Sequence, residues 1–422
     1  MSFSKLGLSP SLCLPLARLG YEQPTPIQAQ AIPAVLTGTD LLACAQTGTG
    51  KTAAFGLAMI ERIAAKRDGH GARIPHGLVL VPTRELAGQV HRSLVTYGTP
   101  LQLRVTALFG GVGLGPQIHA LRHGTDIVVA TPGRLIDHMQ RRTVDLSAID
   151  ILTLDEADRM LDMGFLPALR RVIASLPRSR QTLLFSATLS DAIVSLAAAF
   201  TRDPARVDVS DGQAVAATVT HHLHTVAVDQ KRAMLTHLLT DATQALVFCK
   251  TKRGSDRVSE HLERAGIKTA VIHGNKSQSA RTRALADFKT GRVNVLVATD
   301  IAARGLDIVQ LPLVVNYDLP LVAEDYIHRI GRTGRAGRTG RAVSLVSPSD
   351  ASLLRDIQQL LRTPLERIAV QGFETPPAEP LVTTPERTRT HSRHTRFLGS
   401  RRRMDRKPRH GRGQTTRPVF AR

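Results

Sequence analysis

The fold is decided by the stretch Ala45-Gln46-Thr47-Gly48-Thr49-Gly50-Lys51-Thr52, which follows the apolar run Leu41–Cys44 and opens a helix-forming segment. Glycines let a backbone wrap a phosphate group with several N–H groups pointing inward, while a lysine and a hydroxyl that come next reach the outer phosphates and a magnesium ion. We therefore expect residues 46–52 to hold a nucleoside triphosphate, with Lys51 on the β- and γ-phosphates and Thr52 on Mg²⁺. Ala45 stands where most such loops carry their first glycine, so the prediction needs a second feature in its support.

The second feature is a carboxylate cluster, Asp155-Glu156-Ala157-Asp158, directly after the apolar run Ile151–Leu154. Phosphoryl transfer requires little of a protein beyond placing the phosphates, the metal and the attacking water. At the end of a strand, Asp155 is expected to orient Mg²⁺ through water, and Glu156 to position and polarise the attacking water. The alternative is an ordinary solvated turn between a strand and a helix, which the phosphate loop upstream disfavours.

The composition points to a polyanionic partner. The 422 residues carry a formal net charge of +21 with a pI near 11.0, which is more than solubility requires. No apolar run approaches the roughly 20 residues that span a bilayer, and the N-terminus lacks the plan of a signal peptide. The three cysteines, Cys13, Cys44 and Cys249, form neither a disulfide framework nor a metal set. We therefore expect a cytoplasmic protein that binds nucleic acid and no membrane.

Short apolar runs alternate with longer helical patterns in two series, which is typical of buried parallel strands in α/β domains. The predicted organisation is a first domain at 1–208, a linker at 209–217, a second domain at 218–370 and a tail at 371–422. Proline, threonine and arginine dominate the tail and periodicity ends there, so a disordered tail is expected. Besides the runs before the two motifs above, the predicted strands lie at 78–81, 126–130, 182–185, 245–249, 269–272, 293–297 and 313–315.

These motifs resemble those of the DEAD-box ATP-dependent RNA helicases, a family named for the residues at 155–158, and most closely its bacterial RhlE-type branch. The resemblance covers about residues 1–370, and the motifs occur in the family's order, in which Ala45 is normal. Each motif alone is a weak pattern, but the ordered set is specific. The motifs of the first domain are Gly20-Tyr21-Glu22-Gln23-Pro24-Thr25-Pro26-Ile27-Gln28, the phosphate loop, Pro82-Thr83-Arg84-Glu85-Leu86-Ala87, Gly110-Gly111, Thr131-Pro132-Gly133-Arg134, the carboxylate cluster and Ser186-Ala187-Thr188. Those of the second are Val247-Phe248-Cys249-Lys250-Thr251, His273-Gly274 with Gln278 and Arg281, Ala298-Thr299-Asp300-Ile301-Ala302-Ala303-Arg304-Gly305-Leu306-Asp307, and His328-Arg329-Ile330-Gly331-Arg332-Thr333-Gly334-Arg335.

The resemblance implies two tandem RecA-like domains with parallel sheets, namely a helicase ATP-binding domain with an N-terminal glutamine motif at about 1–30 and a helicase C-terminal domain. It implies that RNA-stimulated ATP hydrolysis, with Mg²⁺, drives local unwinding of short RNA duplexes or remodelling of RNA–protein complexes. The sequence does not decide whether complexes of ribosome assembly or of RNA decay are the partners. Two alternatives stay open. One is a related helicase that acts on DNA, and the other is an ATP-gated RNA clamp with little turnover.

The nucleotide contacts follow from the same resemblance. The amide of Gln28 suits the adenine edge and the Tyr21 ring suits stacking on the base, with Gln23 in the same motif. The alternative here is a buried tyrosine and a glutamine that caps a helix. The resemblance also implies that Asp307 contacts the ATP ribose. It implies that Arg332 and Arg335 are arginine fingers, which complete the site when the domains close. The residues implied to couple the domains to the γ-phosphate are Ser186, Ala187, Thr188 and His328. For the two arginines the alternative is a basic solvated loop.

The implied RNA contacts are short polar groups, glycines and arginines. Such groups touch phosphates and 2′-hydroxyls without reading base edges, so binding of a single-strand backbone without sequence preference is expected. The aromatic content of 4%, with no tryptophan, argues against platforms for base stacking. The residues are Arg84, Gly110, Gly111, Thr131 and Arg134 in the first domain, and Gly274, Arg281, Thr299 and Asp300 in the second.

The last segment, residues 386–422, carries 13 lysines and arginines against two acidic residues, which is +11 of the chain's +21. We expect it to tether structured RNA, and a solvated basic tail without a specific role is the alternative. Two other features are expected to be structural or, for the histidines, solvent-exposed. The histidines of His221-His222-Leu223-His224 begin a strand without acidic or cysteine ligands nearby, and Cys249 sits within an apolar strand.

Overall fold

The computed structural model describes residues 2–46, 48–66, 73–209, 219–303, 306, 308, 310–334, 339–362 and 365–373. The predicted contacts Thr47, Asp307 and Arg335 lie outside these residues, as do the linker from residue 210 and the tail from residue 374. Residues 1–376 form one compact unit. It contains two seven-stranded sheets, and the first domain and the second domain are named here for the sheet that each carries.

The first sheet has the strand order β3-β4-β2-β5-β6-β1-β7, and all its neighbouring strands are parallel. Its strands are β1 Leu41–Cys44, β2 Gly77–Leu80, β3 Val105–Leu108, β4 Ile127–Ala130, β5 Ile151–Leu154, β6 Gln181–Ser186 and β7 Ala205–Asp208. The helices of this domain are α1 Pro10–Arg18, α2 Pro26–Leu36, α3 Lys51–Lys66, α4 Arg84–Gly98, α5 Leu114–Arg122, α6 Pro132–Gln140, α7 Ala157–Asp162, α8 Leu166–Ala174 and α9 Asp191–Phe200.

The central strands of the first sheet are buried on both faces. Every residue of β1, β2, β4 and β5 is buried, because helices cover both sides of the sheet. Successive side chains point to opposite faces, so Leu41 and Ala43 pack in one hydrophobic cluster while Leu42 packs in the other. β3 lies at the edge and alternates between half-buried and buried positions.

The second sheet repeats the topology of the first. Its order is β10-β11-β9-β12-β13-β8-β14, which is the order of the first sheet with each number raised by seven. Therefore β8 corresponds to β1, and the helix after β8 corresponds to α3. The strands are β8 Val219–Thr225, β9 Ala245–Phe248, β10 Thr269–Ile272, β11 Val295–Ala298, β12 Leu313–Asn316, β13 Gly340–Val346 and β14 Glu366–Arg367. The helices are α10 Lys231–Leu239, α11 Lys252–Arg264, α12 Gln278–Lys289, α13 Asp300–Ala303, α14 Ala323–Ile330 and α15 Ala351–Leu361.

The neighbours β5, β6 and β1 place the candidate site. Parallel strands end at the same edge of a sheet, and Cys44 lies in register with Ser186 while Leu154 lies in register with Leu184. The phosphate loop after β1, the carboxylate cluster after β5 and the segment 186–188 at the end of β6 therefore lie side by side. In open α/β sheets this carboxyl edge is where ligands bind.

Candidate active site and nucleic-acid interface

The phosphate loop is a turn that leads from β1 into α3. Gly48 and Gly50 have positive φ angles of +86° and +95°, a conformation that favours glycine. Ala45 N donates to Ser186 O at 3.0 Å, and Thr49 Oγ1 donates to Gln46 O at 2.7 Å. Because α3 begins at Lys51, the free N–H groups of its first turn point at the loop, as an anion site requires.

The Lys51 side chain is the clearest sign that the loop suits an anion. It is buried, with 5% of its surface exposed, and its Nζ has no hydrogen-bond partner among the described residues. The second domain supplies a control, because Lys231 begins the corresponding helix α10 and is equally buried. Its Nζ donates to Asp350 Oδ2 at 3.1 Å and to Tyr317 O at 3.3 Å. A buried ammonium without hydrogen-bond acceptors is costly, so a phosphate fits at Lys51.

The Asp155 carboxyl lies fully buried beside this lysine. Burial and the neighbouring charge of Glu156 raise its pKa to about 6, against the opposing effect of Lys51. Such a carboxylate fits a magnesium ion, which would also take the Thr52 hydroxyl at the start of α3. In the described part of the chain no three histidine, cysteine or acidic side chains form a metal site. The site would thus hold Mg²⁺ together with nucleotide oxygens, as is usual for this ion.

Glu156 stands in a strained conformation at the start of α7. Its φ of +53° is left-handed, which is uncommon for a residue with a side chain and is typical of functional sites. Its backbone N donates to Asp155 Oδ1 at 3.0 Å. The carboxylate accepts a hydrogen bond from Arg159 Nη1 at 3.0 Å, and both side chains are buried. Sequence reasoning gave Arg159 no role.

Asp158 connects the carboxylate cluster to the segment 186–188 and to the second domain. Its Oδ2 accepts a hydrogen bond from Ala187 N at 2.9 Å, and Thr188 N donates to Ser186 Oγ at 3.3 Å. Burial works to raise the pKa of Asp158, but the charges of Lys51 and His328 hold that pKa below its ordinary value. The structure thus brings His328 of α14 within electrostatic reach of Asp158.

Gln28 is engaged by the protein itself. Its Oε1 accepts a hydrogen bond from Thr25 N at 3.0 Å, and its Nε2 donates to Gly50 O at 3.2 Å. A Cβ at residue 50 would collide with this amide. The helix-capping alternative therefore describes the contacts of Gln28, which also fasten α2 to the phosphate loop.

The Tyr21 ring is half-buried in a small aromatic group. It meets the rings of Phe3 and Tyr97 edge to face, with centroids 6.2 Å away in each case. Its hydroxyl lies 2.8 Å from the Tyr97 hydroxyl. Gln23, two residues further along, is exposed.

Arg332 of the second domain is buried, with 3% of its surface exposed, so it is not part of a solvated loop. Its Nη1 donates to Leu306 O at 2.9 Å. Together with Arg159 and His328 it lines a cavity of about 10 Å³ between α7 and α14, which is room for about one water molecule. The structure thus brings Arg332 to the same place as the helix that begins after Glu156.

Asp300, a predicted RNA contact, is held by a residue that sequence reasoning left without a role. Arg329 donates from Nε to Asp300 Oδ1 at 2.6 Å and from Nη2 to Oδ2 at 2.7 Å. Its Nη1 donates to Asn316 Oδ1 at 3.0 Å and to Asp318 O at 2.6 Å. Both carboxylate oxygens of Asp300 therefore face Arg329. The one feature of the sequence that could have indicated a role for Arg329 is its position within the motif at 328–335.

The predicted RNA contacts of the first domain lie together. The Arg84 guanidinium packs over the turn at Gly110 and Gly111, where a Cβ at residue 111 would collide with Arg84 Nη1. Arg134 donates from Nη1 and Nη2 to Val112 O at 3.1 and 3.2 Å, which joins α6 to the same turn. Thr131 lies at the start of α6. These residues form one patch at the carboxyl edge of the first sheet.

The second domain meets this patch through Arg281. Arg281 Nη2 lies 2.9 Å from Glu85 Oε1 of α4, and Gln278 Nε2 donates to the same oxygen at 3.0 Å. Arg281 Nε and Gln278 Oε1 are buried and have no hydrogen-bond partner within the described ranges. Gly274 lies under the Lys252 side chain, and Thr299 is buried before α13. Glu85, the residue after Arg84, was missed as a contact between the domains.

Two histidines of the segment 221–224 and the Cys249 thiol lie in contact with other parts of the protein. His221 Nδ1 lies 3.1 Å from the Tyr326 hydroxyl and His224 Nδ1 lies 2.7 Å from Ile368 O, inside β8 rather than at its start. Burial raises the pKa of the Cys249 thiol well above its ordinary value. Within the residues that the structure describes, no helix has the length and apolar character to cross a membrane.

Comparison with known proteins gives two family matches. The profile of the DEAD/DEAH box helicases matches residues 25–196, and that of the helicase conserved C-terminal domain matches residues 230–337. The ATP-dependent RNA helicase DeaD of Klebsiella pneumoniae is 42% identical over 88% of this chain and 58% of its own length. The DEAD-box ATP-dependent RNA helicase CshA of Bacillus thuringiensis is 40% identical over 91% of this chain and 74% of its own. The chain spans less than two thirds of the length of the DeaD relatives from Klebsiella pneumoniae and Escherichia coli.

The fold is similar to a solved structure as well. S. cerevisiae Dbp5 bound to RNA and ADP BeF3 matches with a TM-score of 0.77 at 32% identity, covering 87% of this chain and 95% of that chain. Because the match covers 87% of this chain, the likeness includes both sheets. The prediction of two tandem RecA-like domains with parallel sheets is confirmed.

Proposed function

The chain belongs to the DEAD-box helicase family, and from this we propose that it is an RNA-stimulated ATPase that unwinds short RNA duplexes locally or remodels RNA–protein complexes. The observation that carries the proposal is the buried Lys51 ammonium. Its Nζ has no hydrogen-bond partner among the described residues, and its charge acts on the carboxylates of Asp155 and Asp158. His328 of the second domain acts electrostatically on Asp158, and Arg332 lines a cavity with Arg159, the residue after the cluster. A nucleotide at Lys51 would therefore meet groups from both domains.

We assign the reaction to six residues of this chain. Lys51 binds the outer phosphates, and Thr52 and Asp155 hold the metal. Mg²⁺, when bound, neutralises charge on the phosphates. Glu156 holds and polarises the attacking water, and Arg332 stabilises the charge that develops on the transferring phosphoryl group. Arg335, three residues after Arg332 in the sequence, is proposed as a second finger.

The preference for ATP is proposed to depend on the glutamine motif. Tyr21 and Gln23 would meet the base, Gln28 would meet its edge, and Asp307 would meet the ribose. Because both ends of the Gln28 amide are hydrogen-bonded within the protein, we infer that an adenine contact requires Gln28 to give up or share one of these bonds. That shared bond would transmit nucleotide occupancy from the base to Gly50.

RNA is proposed to bind across both domains at the patch around Arg84 and at Arg281. The support is that two buried polar atoms there, Arg281 Nε and Gln278 Oε1, lack partners among the residues described. A further support is the likeness to Dbp5 with bound RNA. Asp300 would contribute to RNA binding by holding Arg329, which donates to both of its carboxylate oxygens. The full set of proposed RNA-binding residues is Arg84, Gly110, Gly111, Thr131, Arg134, Gly274, Arg281, Thr299 and Asp300. Ser186, Ala187, Thr188 and His328 would couple this surface to the γ-phosphate.

The experiment that tests this function is multiple-turnover ATP hydrolysis by the full chain with single-stranded RNA, with DNA of the same sequence, and with neither. Stimulation by RNA alone, together with ATP-dependent separation of a short RNA duplex, is the expected result. Equal stimulation by RNA and DNA would favour the DNA-helicase alternative. ATP-dependent RNA binding with little turnover would favour the clamp.

Finer assignments are proposed on sequence grounds. They are the RhlE-type branch, a cytoplasmic location, a role in ribosome assembly or RNA decay, and domain limits at 1–208 and 218–370. A tree of full-length bacterial DEAD-box chains tests the branch, and a grouping with DeaD or CshA would reject it. Crosslinking the bound RNA in cells and sequencing it tests whether the chain acts in ribosome assembly or in RNA decay.

A further inference from the structure

Arg159 is a buried charge that the proposed reaction leaves without a role. Its side chain is 3% exposed, and its Nη1 lies 3.0 Å from Glu156 Oε2, whose side chain is 5% exposed. A buried guanidinium is expensive unless it is paired and held by further contacts. Glu156 directly precedes α7 and Arg159 lies in the first turn of that helix, so the pair is local to the start of α7.

The other side of Arg159 faces the second domain. Arg159 lines the small cavity with Asp325, His328 and Arg332 from α14 and the turn after it. Arg329 and Asp300, which also line the cavity, are paired with each other. Arg332 is held through Leu306 O. Arg159 therefore pairs with the Glu156 carboxylate and also lines a cavity whose other lining residues belong to the second domain.

We propose that Arg159 is a positioning residue that fixes the Glu156 carboxylate in the orientation for holding the attacking water and makes this orientation depend on docking of the second domain. The inference rests on the proposed ATPase function. Glu156 has a left-handed backbone and an i, i+3 ion pair, so two independent constraints set the direction of its side chain. Removal of the arginine releases one of them.

The test compares Arg159→Gln, Arg159→Lys, Glu156→Gln and the double variant, with Arg170→Gln as a matched control at an exposed position of the next helix. At saturating RNA, Arg159→Gln is expected to lower kcat by about ten- to a hundredfold, since small misplacements of a catalytic group have effects of this size. The KM for ATP and the RNA concentration for half-maximal stimulation should stay within about twofold. Arg159→Lys should recover part of the loss, because it keeps the charge without the planar fork.

The double variant separates positioning from an independent effect. If Arg159 acts through Glu156, then Glu156→Gln with Arg159→Gln hydrolyses ATP no more slowly than Glu156→Gln alone. Multiplying losses, or a rise of KM in step with the fall of kcat, would overturn the proposal. Binding of a fluorescent ADP establishes that each variant is folded. If Arg159→Gln does not bind ADP, the proposal is judged from Arg159→Lys against the wild type and from the double variant, which leaves no unpaired charge, against Glu156→Gln. An unstimulated wild-type chain refutes the ATPase function, whereas a stimulated wild type with an unaffected Arg159→Gln refutes only the role of Arg159.

Discussion

Glu85 of the first domain and Arg281 of the second form an ion pair across the two domains, with 2.9 Å between Glu85 Oε1 and Arg281 Nη2. Both side chains are largely buried, and burial lowers the pKa of Arg281 against the opposing effect of Glu85. Glu85 directly follows Arg84, which packs on the turn at Gly110 and Gly111. The pair therefore joins the domains at the surface proposed for RNA.

Neutralising Glu85 should impair the response to RNA. Glu85→Gln leaves the Arg281 charge without its partner in a poorly hydrated place, so docking of the second domain becomes less favourable. We expect the RNA concentration for half-maximal ATPase stimulation to rise several-fold, with ADP binding in the absence of RNA unchanged. Glu260→Gln, which removes an exposed pair with Arg264, is the control and should behave as wild type. An unchanged RNA response in Glu85→Gln would show that the pair is incidental.

Substitutions of the corresponding lysines of the two domains should differ in their effect on stabilisation by ADP. Lys51→Met should abolish the rise in melting temperature that ADP produces, which for a ligand at about 100 times its Kd corresponds to about 2.7 kcal/mol. Lys231→Met should keep that rise but lower the melting temperature without nucleotide, because it breaks the bond to Asp350, on the order of 1–3 kcal/mol. Retained stabilisation by ADP in Lys51→Met would contradict the phosphate site.

The second domain should contribute to hydrolysis but not to initial nucleotide binding. Arg332→Ala is expected to remove RNA-stimulated ATPase activity while ATP affinity without RNA stays nearly unchanged. Arg341→Ala, at an exposed position in β13, is the control. An isolated fragment that ends near residue 208 and hydrolyses ATP at the full rate would refute a site shared between the domains.

The charge of the last segment should be visible in the salt dependence of RNA binding. Deletion from residue 386 removes 13 basic and two acidic residues, so affinity for a long structured RNA should fall while ATP binding persists. The difference between the full and truncated chains should shrink as salt rises, because each neutralised phosphate adds to counterion release. Equal affinities with equal salt slopes would reject the tether.

The phosphate loop, the carboxylate cluster and the strands before them were predictable because each is local. A continuous apolar run that ends in glycines or acids specifies a buried strand and the turn at its carboxyl end, as at β1 and β5. Strand β3 was missed because it alternates at an edge. The strand at the histidine segment was predicted to begin there, but β8 begins earlier, at Val219.

The contacts between distant segments were beyond the sequence. The bond from Gln28 to Gly50, the capture of Asp300 by Arg329 and the pair of Glu85 with Arg281 join residues from different elements. No spacing along the chain encodes them, although each partner lies within a motif that was identified. Motif order thus indicates which residues matter, while the packing of the two sheets decides which of them meet.

The most direct test of the account is ATP turnover by Glu156→Gln beside the wild type, with and without single-stranded RNA. The wild type should hydrolyse ATP rapidly only with RNA, and the variant should lose hydrolysis by orders of magnitude while it still binds ATP and retains RNA in an ATP-dependent complex, since only the water-polarising group is removed. Turnover by Glu156→Gln near the wild-type rate, or wild-type turnover indifferent to RNA, would contradict the account.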